Sequence, residues 1–250
     1  MKKKIRTLLI GASGNLGSAI VKSELFKNLY HPSKKILNIE NKKKIRKILI
    51  KNKFDLIVNC AAMARMKECE LDPCKAIRVN IFGMMNLVDE IINYQNKFNK
   101  EIKLIHISTD GVYPSTDGNY SENSQTEPYN VYGWTKFYSE LIVKKLKNYV
   151  VIRTRFFDKN NIRFNTAATD IFTSMIEVQN LAKAIKTLCM KNVIGVINVG
   201  EERESDFEKY KKFKKNIKPC KRKDIIEHLN FKIAKDSSMN LKFFKKIKKK

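Results

Sequence analysis

Leu9-Ile10-Gly11-Ala12-Ser13-Gly14-Asn15-Leu16-Gly17 is the stretch whose reading decides the fold. It follows an apolar run from Thr7 that reads as a first strand, and it opens a helical stretch over 15–26. Three glycines at these places suit a strand–turn–helix unit that receives a phosphate. Gly11 permits the tight turn, Gly14 lets the backbone approach a pyrophosphate, and Gly17 lets helix and strand pack closely. The helix N-terminus at Asn15 and Leu16 then faces the anion. The spacing is GxxGxxG rather than GxGxxG, so its weight comes from the strand before it and the helix after it.

Outward from this turn, β-rich runs at 29–31, 56–60, 104–108, 150–154 and 193–199 alternate with helical stretches at 42–51, 73–97, 131–147 and 178–189. Asp72-Pro73 is a helix start, with Asp as cap and Pro at the first helical position. Runs such as Leu56-Ile57-Val58 are continuously apolar, as strands covered on both faces should be. Alternating β and α with such strands predicts an α/β fold with a doubly wound parallel sheet. From Gly200 onward the pattern weakens and charge rises, which predicts a small peripheral subdomain. The expected division is residues 1–157 for nucleotide binding and 158–250 for substrate, with about 176–199 returning to the sheet.

Composition narrows the function. The 250 residues carry 51 Lys and Arg against 25 Asp and Glu, a net charge of +26. That charge invites a nucleic-acid partner, because Lys and Arg displace phosphate counterions. Yet 42 of the 51 are Lys and only 9 are Arg, the residue suited to bidentate phosphate and base contacts. The chain is read as one with a Lys-rich surface and no nucleic-acid role, and Lys245, Lys246, Lys248, Lys249 and Lys250 as a frayed, solvated tail. No run approaches the ~20 apolar residues of a membrane span. Lys2, Lys3, Lys4 and Arg6 before Leu8 superficially resemble a secretory leader, but the apolar patch is too short and glycines follow at once. Five cysteines, none in a CxxC pair, give neither a disulfide framework nor a zinc ligand set. A reducing cytoplasm is the expected location.

Two constellations carry chemistry. After the second strand, where an acid usually meets a ribose 2′-hydroxyl, the chain reads Tyr30-His31-Pro32-Ser33-Lys34-Lys35. Ser33 and Lys34 suit a 2′-phosphate, so NADP(H) is favoured and NAD(H) remains possible. The fourth strand ends in Ser108-Thr109-Asp110, and Tyr132 and Lys136 follow four apart on a helix, hence on one face. A phenol with pKa about 10 is a weak acid–base group at neutral pH. An ammonium beside it favours the phenolate and brings it toward the working range. Thr109 would hydrogen-bond a carbonyl oxygen that Tyr132 protonates, and Lys136 would hold the nicotinamide ribose.

These residues resemble the extended short-chain dehydrogenases/reductases, and more narrowly the dTDP-4-dehydrorhamnose reductase-type sugar-nucleotide proteins. Beside the glycine turn, the matching stretches include Phe54 to Ala62, Val79-Asn80, His106 to Tyr113, Tyr129 to Gly133, Val151 to Thr154 and Lys235 to Asn240. The likeness is strong to about Thr154 and patchier afterwards. It implies a Rossmann-type sheet with a small C-terminal substrate-binding subdomain, and a sugar-nucleotide substrate. It places Thr109, Tyr132 and Lys136 as a catalytic triad. It adds Asn38 and Ile39 beside the adenine, Ala61 and Ala62 behind the third strand, and Asn80 and Ser108 on the cofactor side. Asp110, Phe156 and Phe157 fall near the sugar, with Phe156 where relatives often carry Trp. The resemblance also suggests a homodimer through the helices over 73–97 and 131–147.

The expected activity is NAD(P)H-dependent reduction of a 4-keto-6-deoxy sugar nucleotide at C4. Two alternatives stay open: an NAD-dependent sugar-nucleotide 4-epimerase, and a nucleotide-binding regulatory subunit resembling the β subunit of methionine adenosyltransferase. Remaining features are read plainly. His106 is a core histidine, His31 a surface one, Cys69 and Cys74 ordinary thiols, and Trp134 a packing or interface residue. Arg155 and Arg203 are weaker candidates for a diphosphate.

Overall fold

The structure is a computed structural model that describes residues 4–229 and 231–249; Lys2, Lys3 and Lys250 lie outside the described residues. Six parallel strands form the central sheet: β1 (Thr7–Ile10), β2 (Leu29–Tyr30), β3 (Leu56–Asn59), β4 (Lys103–Ile107), β5 (Tyr149–Arg153) and β6 (Gly195–Asn198). Their order across the sheet is β6-β5-β4-β3-β1-β2. The chain runs outward from β1 to β2 and then resumes on the other side of β1. The crevice where direction reverses therefore lies between the carboxyl ends of β1 and β3, where open α/β sheets bind ligands.

Ten helices follow in chain order: α1 (Asn15–Lys22), α2 (Lys42–Asn52), α3 (Met66–Leu71), α4 (Pro73–Ile77), α5 (Gly83–Phe98), α6 (Val131–Val143), α7 (Val178–Met190), α8 (Asp206–Lys211), α9 (Arg222–Ile226) and α10 (Lys242–Lys249). A π-helical turn, Arg78–Phe82, joins α4 to α5. The apolar strands sort their side chains by alternation. Leu9, Val58, Ile105, Val150 and Ile152 face one core with α1 and α7. Leu8, Ile57, Leu104 and Val151 face the other with α2, α5 and α6. This is the doubly wound arrangement predicted from sequence.

Two departures have physical causes. The single helix expected over 73–97 is interrupted by the π-helical turn, within which Asn80 is buried, and α3 precedes it unannounced. The lysine tail is not frayed as expected. Its described part is α10, whose Phe244 and Ile247 are 4% and 7% exposed and join the core of α1 and α7. Spacing of three puts both on one face while the lysines take the other.

A small lobe sits past the carboxyl ends of β5 and β6. It is built from three short pairs: Phe156–Phe157 with Ile176–Glu177, Thr166–Ala168 with Lys218–Cys220, and Phe172–Thr173 with Glu204–Ser205. Phe157, Ala167, Met175, Tyr210 and Ile217 form its own core. The segment near Lys235 to Asn240 then returns to the main body, where Tyr120 N–H donates to Ser238 O and Asn240 N–H to Tyr120 O.

Candidate active site

The glycine turn has the geometry its sequence requires. Gly11 has φ +85°, and a Cβ there would lie 2.6 Å from Ala61 N. A Cβ on Gly17 would lie 2.1 Å from Gly11 O, so helix and turn touch backbone to backbone. Gly14 differs, for its Cβ would meet only Gly11 O at 3.5 Å, leaving its outer face open. Gly14 is the N-cap of α1 and supplies no side-chain cap, so the first N–H groups of the helix are left for an anion. The pocket over this turn is lined by Gly11, Gly14, Lys34, Asn38, Ile39, Ala61 and Ala62 among others. These residues fit a dinucleotide, with an uncapped helix end for the pyrophosphate and apolar Ile39 on the adenine side. Glu40, which the sequence did not mark, lines the same pocket.

Other expected cofactor residues have different positions. Leu16 is buried in the α1 core, and Asn15 and Ser33 flank the pocket without lining it. Ser108 turns inward, and its hydroxyl donates to Glu140 Oε1 at 2.5 Å. Asn80 is spent on protein: its Oδ1 accepts Met63 N–H at 2.8 Å, and its Nδ2 donates to Thr135 Oγ1 at 2.9 Å. Both side chains are thus engaged by protein partners that also support the site.

Thr109 and Tyr132 lie near each other past the end of β4, while the Lys136 ammonium does not join them. Thr109 Oγ1 accepts Gly111 N–H and donates to Asp110 Oδ1, and the side chain lies near enough to the Tyr132 phenol to act on its pKa. Asn130 caps α6 by accepting Gly133 N–H at 2.8 Å, which fixes where Tyr132 starts the helix. The ammonium of Lys136 was expected to lower the phenol's pKa. Instead Lys136 Nζ lies 3.0 Å from His106 Nε2, inside the fold. Burial and the nearby Asp110 and Cys69 push the Tyr132 phenol above its ordinary value, against the opposing Thr109 hydrogen bond. The phenol is thus held in its protonated form. Burial lowers Lys136 to about 8, while Glu140 and Cys60 act to raise it.

A buried ion pair stands directly behind these residues and had no signal in the sequence. Arg153 Nη2 meets Glu140 Oε2 at 2.7 Å, with Arg153 3% and Glu140 0% exposed. Arg153 Nη1 also donates to Tyr113 OH, which donates on to Asn198 Oδ1. The network joins β4, α6, β5 and β6, so it fixes Ser108 and hence Thr109 one residue on.

On the sugar side, Asp110 is buried, and its Oδ2 accepts Ser237 Oγ at 2.6 Å, tying the returning segment to the site. Phe156 packs against the α1–α7 core, and Phe157 packs edge-on to Tyr210 in the lobe core. Strand alternation sends the two rings into different layers, with Phe156 partly buried and Phe157 buried. Arg155 pairs with Asp206 at 3.2 Å, and Arg203 with Asp236 at 2.8 Å while lying over the Phe172 ring. Cys69 is a buried thiol pushed up to about 11 by burial. Trp134 is exposed and stacks on Tyr138.

Fold, turn and crevice together define a nucleotide-binding α/β protein of Rossmann type. Residues 5–187 match the RmlD substrate binding domain, and the chain belongs to that family. A dTDP-4-keto-6-deoxy-D-glucose reductase of Streptomyces niveus is 34% identical over 146 residues, covering 56% of this chain and 48% of that protein. Methionine adenosyltransferase 2 subunit beta of Xenopus tropicalis is 31% identical over 148 residues, 55% of this chain and 42% of that one. The aligned region thus spans about half the length of the curated relatives it matches. A crystal structure of dTDP-4-dehydrorhamnose reductase from Bacillus anthracis, in complex with NADP, superposes with TM-score 0.86 at 24% identity. It covers 97% of this chain and 92% of its own, and that likeness is one of fold. Among the described residues, no helix is long and apolar enough to cross a membrane.

Proposed function

We propose that this chain is an NADPH-dependent reductase of a 4-keto-6-deoxy sugar nucleotide. One observation carries the reading: the Tyr132 phenol stands near Thr109 past the end of β4, beside a crevice whose lining fits a dinucleotide. A dihydronicotinamide supplies the hydride when bound. The chain's own part is to hold the C4 keto oxygen between two hydroxyls and to give it a proton from Tyr132. A phenol kept protonated by burial suits a reduction, in which the group must donate. Thr109, anchored by Gly111 and Asp110, can turn only a limited way and so orients that oxygen. The Streptomyces relative's name points to the same substrate class.

The test is nicotinamide absorbance with NADPH and NADH against dTDP-, UDP- and GDP-4-keto-6-deoxyhexoses. Oxidation with one sugar nucleotide is the expected result. Tight NAD retained through purification would favour the epimerase instead. Cofactor binding with no oxidation of any substrate would favour the regulatory-subunit reading, and the Xenopus relative is named as a subunit of methionine adenosyltransferase.

NADPH is preferred because Lys34 lines the pocket after β2, opposing there the acid Glu40. Lys34→Ala should weaken NADPH binding about tenfold, the ~1.5 kcal/mol of a charge-assisted hydrogen bond, and leave NADH nearly unchanged. Equal loss for both cofactors in a fluorescence titration would remove the 2′-phosphate role. The sugar side is assigned to residues 158–250, apart from about 176–199, which carry α7 and β6.

The active form is proposed to be a homodimer. Met85, Tyr138 and Leu141 are each 40% exposed or more, on an apolar groove between α5 and α6. A sedimenting mass near 29.1 kDa would count against it. Five free cysteines and a reduced cofactor suit the cytoplasm, which cell fractionation checks.

A further inference from the structure

His106 is buried to 1% exposure, in the middle of the sheet, and every polar atom it has is engaged. It stands across from Asn59 in the β3–β4 register. Asn59 Oδ1 accepts Ala61 N–H at 3.2 Å, which leaves its amide nitrogen pointing at His106 Nδ1, 3.3 Å away. An amide N–H can only donate, so Nδ1 must accept, and the neutral imidazole carries its proton on Nε2. Two atoms meet that proton: Ser139 Oγ at 2.9 Å and Lys136 Nζ at 3.0 Å. Ser139 spends its own proton on Lys136 O at 2.6 Å and so is free to accept.

Lys136 faces a conflict here. An ammonium has three donors and no lone pair, so against an N–H it gains nothing and is repelled; an amine has a lone pair to offer. We propose that His106 is a positioning residue for Lys136: fixed in one tautomer by Asn59, it receives the lysine only as the uncharged amine, so the ammonium occupies a position turned away from His106. The surroundings support this. Of the groups facing Lys136, the Cys60 thiol is pushed up to about 12 by burial, and Glu140 is taken by Arg153. Tyr132, one turn earlier on α6, is held protonated. Burial and Lys136 together hold the imidazole well below its ordinary value, so it stays neutral. Lys136 itself is lowered to about 8 by burial. Protonation near neutral pH thus drives the side chain outward, toward Tyr132 and the nicotinamide ribose. Asn59 ties the same imidazole to Ala61 on the wall of the dinucleotide pocket.

The inference rests on the proposed cofactor-side role of Lys136, and its test separates the two. The chain has only 3 histidines, and His31 and His228 are exposed. Long-range ¹H–¹⁵N NMR of histidine-labelled protein, with neither cofactor nor substrate, reads the His106 tautomer directly. The expected result is a neutral ring protonated on Nε2 at neutral pH. Lys136→Met should shift the Nε2 resonance and leave the tautomer unchanged. A ring protonated on Nδ1, a charged ring, or an unmoved Nε2 would overturn the proposal, whatever the sugar-nucleotide assays show.

The second arm measures NADPH affinity by fluorescence between pH 7 and pH 9. Wild type should weaken about tenfold, as Lys136 passes its value near 8 and withdraws onto His106. In His106→Phe no imidazole N–H is left to receive the amine inside the fold, so the lysine is not withdrawn at high pH and the loss should be less than about twofold. An equal loss in both proteins would sink the idea. His106→Gln, which offers the ammonium a carbonyl oxygen, should behave like His106→Phe. Should a His106 variant fail to fold, the NMR of wild type and Lys136→Met still decides.

Discussion

Tyr132→Phe should leave NADPH binding near the wild-type value while turnover falls by about 10²–10⁴-fold, the scale expected when a positioned proton donor is lost. The substitution removes one oxygen and keeps the ring. The ring starts α6, where Asn130 holds the first turn through Gly133 N–H, and that cap does not depend on the phenol. What disappears is the phenolic proton of Tyr132 near Thr109. Thr109 can hydrogen-bond the keto oxygen by turning its one O–H away from Asp110 Oδ1, but an aliphatic hydroxyl is too weak an acid to give that proton up. Steady-state turnover and a fluorescence titration on the same preparation separate the two effects. Equal losses of binding and turnover would mean that Tyr132 shapes the crevice rather than the reaction. A Thr109→Val partner variant should lower turnover less than Tyr132→Phe, since it misplaces the keto oxygen but leaves the proton available.

The parts of this site that were legible in the sequence are those set by backbone geometry and periodicity. Gly11 and Gly17 announce a strand–turn–helix because only glycine tolerates those approaches, and the structure shows backbone atoms where a Cβ would lie, while Gly14 keeps its outer face open. Thr109, Tyr132 and Lys136 were found from a strand end and a four-residue helical spacing. Spacing gives the face of a helix but not the rotamer, so the lysine's turn toward His106 was invisible. Ser108, Asn80, Phe156 and Phe157 show the same limit from the other side. Each sits next to a functional position in the chain, yet strand alternation or a π-helical turn points it into the fold. Long-range polar partners were the least legible class. Glu140 looks like any helix glutamate and Arg153 like any strand-end arginine until the sheet brings them together.

That pair carries the second large effect. Glu140→Gln should destabilise the fold by about 3–5 kcal/mol, because it leaves the Arg153 guanidinium buried without a counter-charge. The cost comes from desolvation rather than from the attraction itself. Arg153 is only 3% exposed, and its remaining hydrogen-bond partners, Tyr113 OH and the Glu122 carbonyl, are neutral. The carboxylate raises the affinity of Arg153 for its proton further still, so the guanidinium cannot escape by neutralising. Since whole domains are stable by about 5–15 kcal/mol, this loss is a large share and should lower the denaturant midpoint without changing the slope. The double variant Glu140→Leu, Arg153→Met removes both charges together and should recover much of the loss, as apolar replacements of buried pairs often do. Recovery should stop short of wild type, because the Ser108 and Tyr113 hydroxyls each lose a partner at about 1 kcal/mol or more. A single variant that loses less than about 1 kcal/mol would mean water reaches Arg153, and the pair would then be no anchor for Thr109. Should the double variant regain stability but not turnover, the pair's role is to place the end of β4, not to hold the protein together.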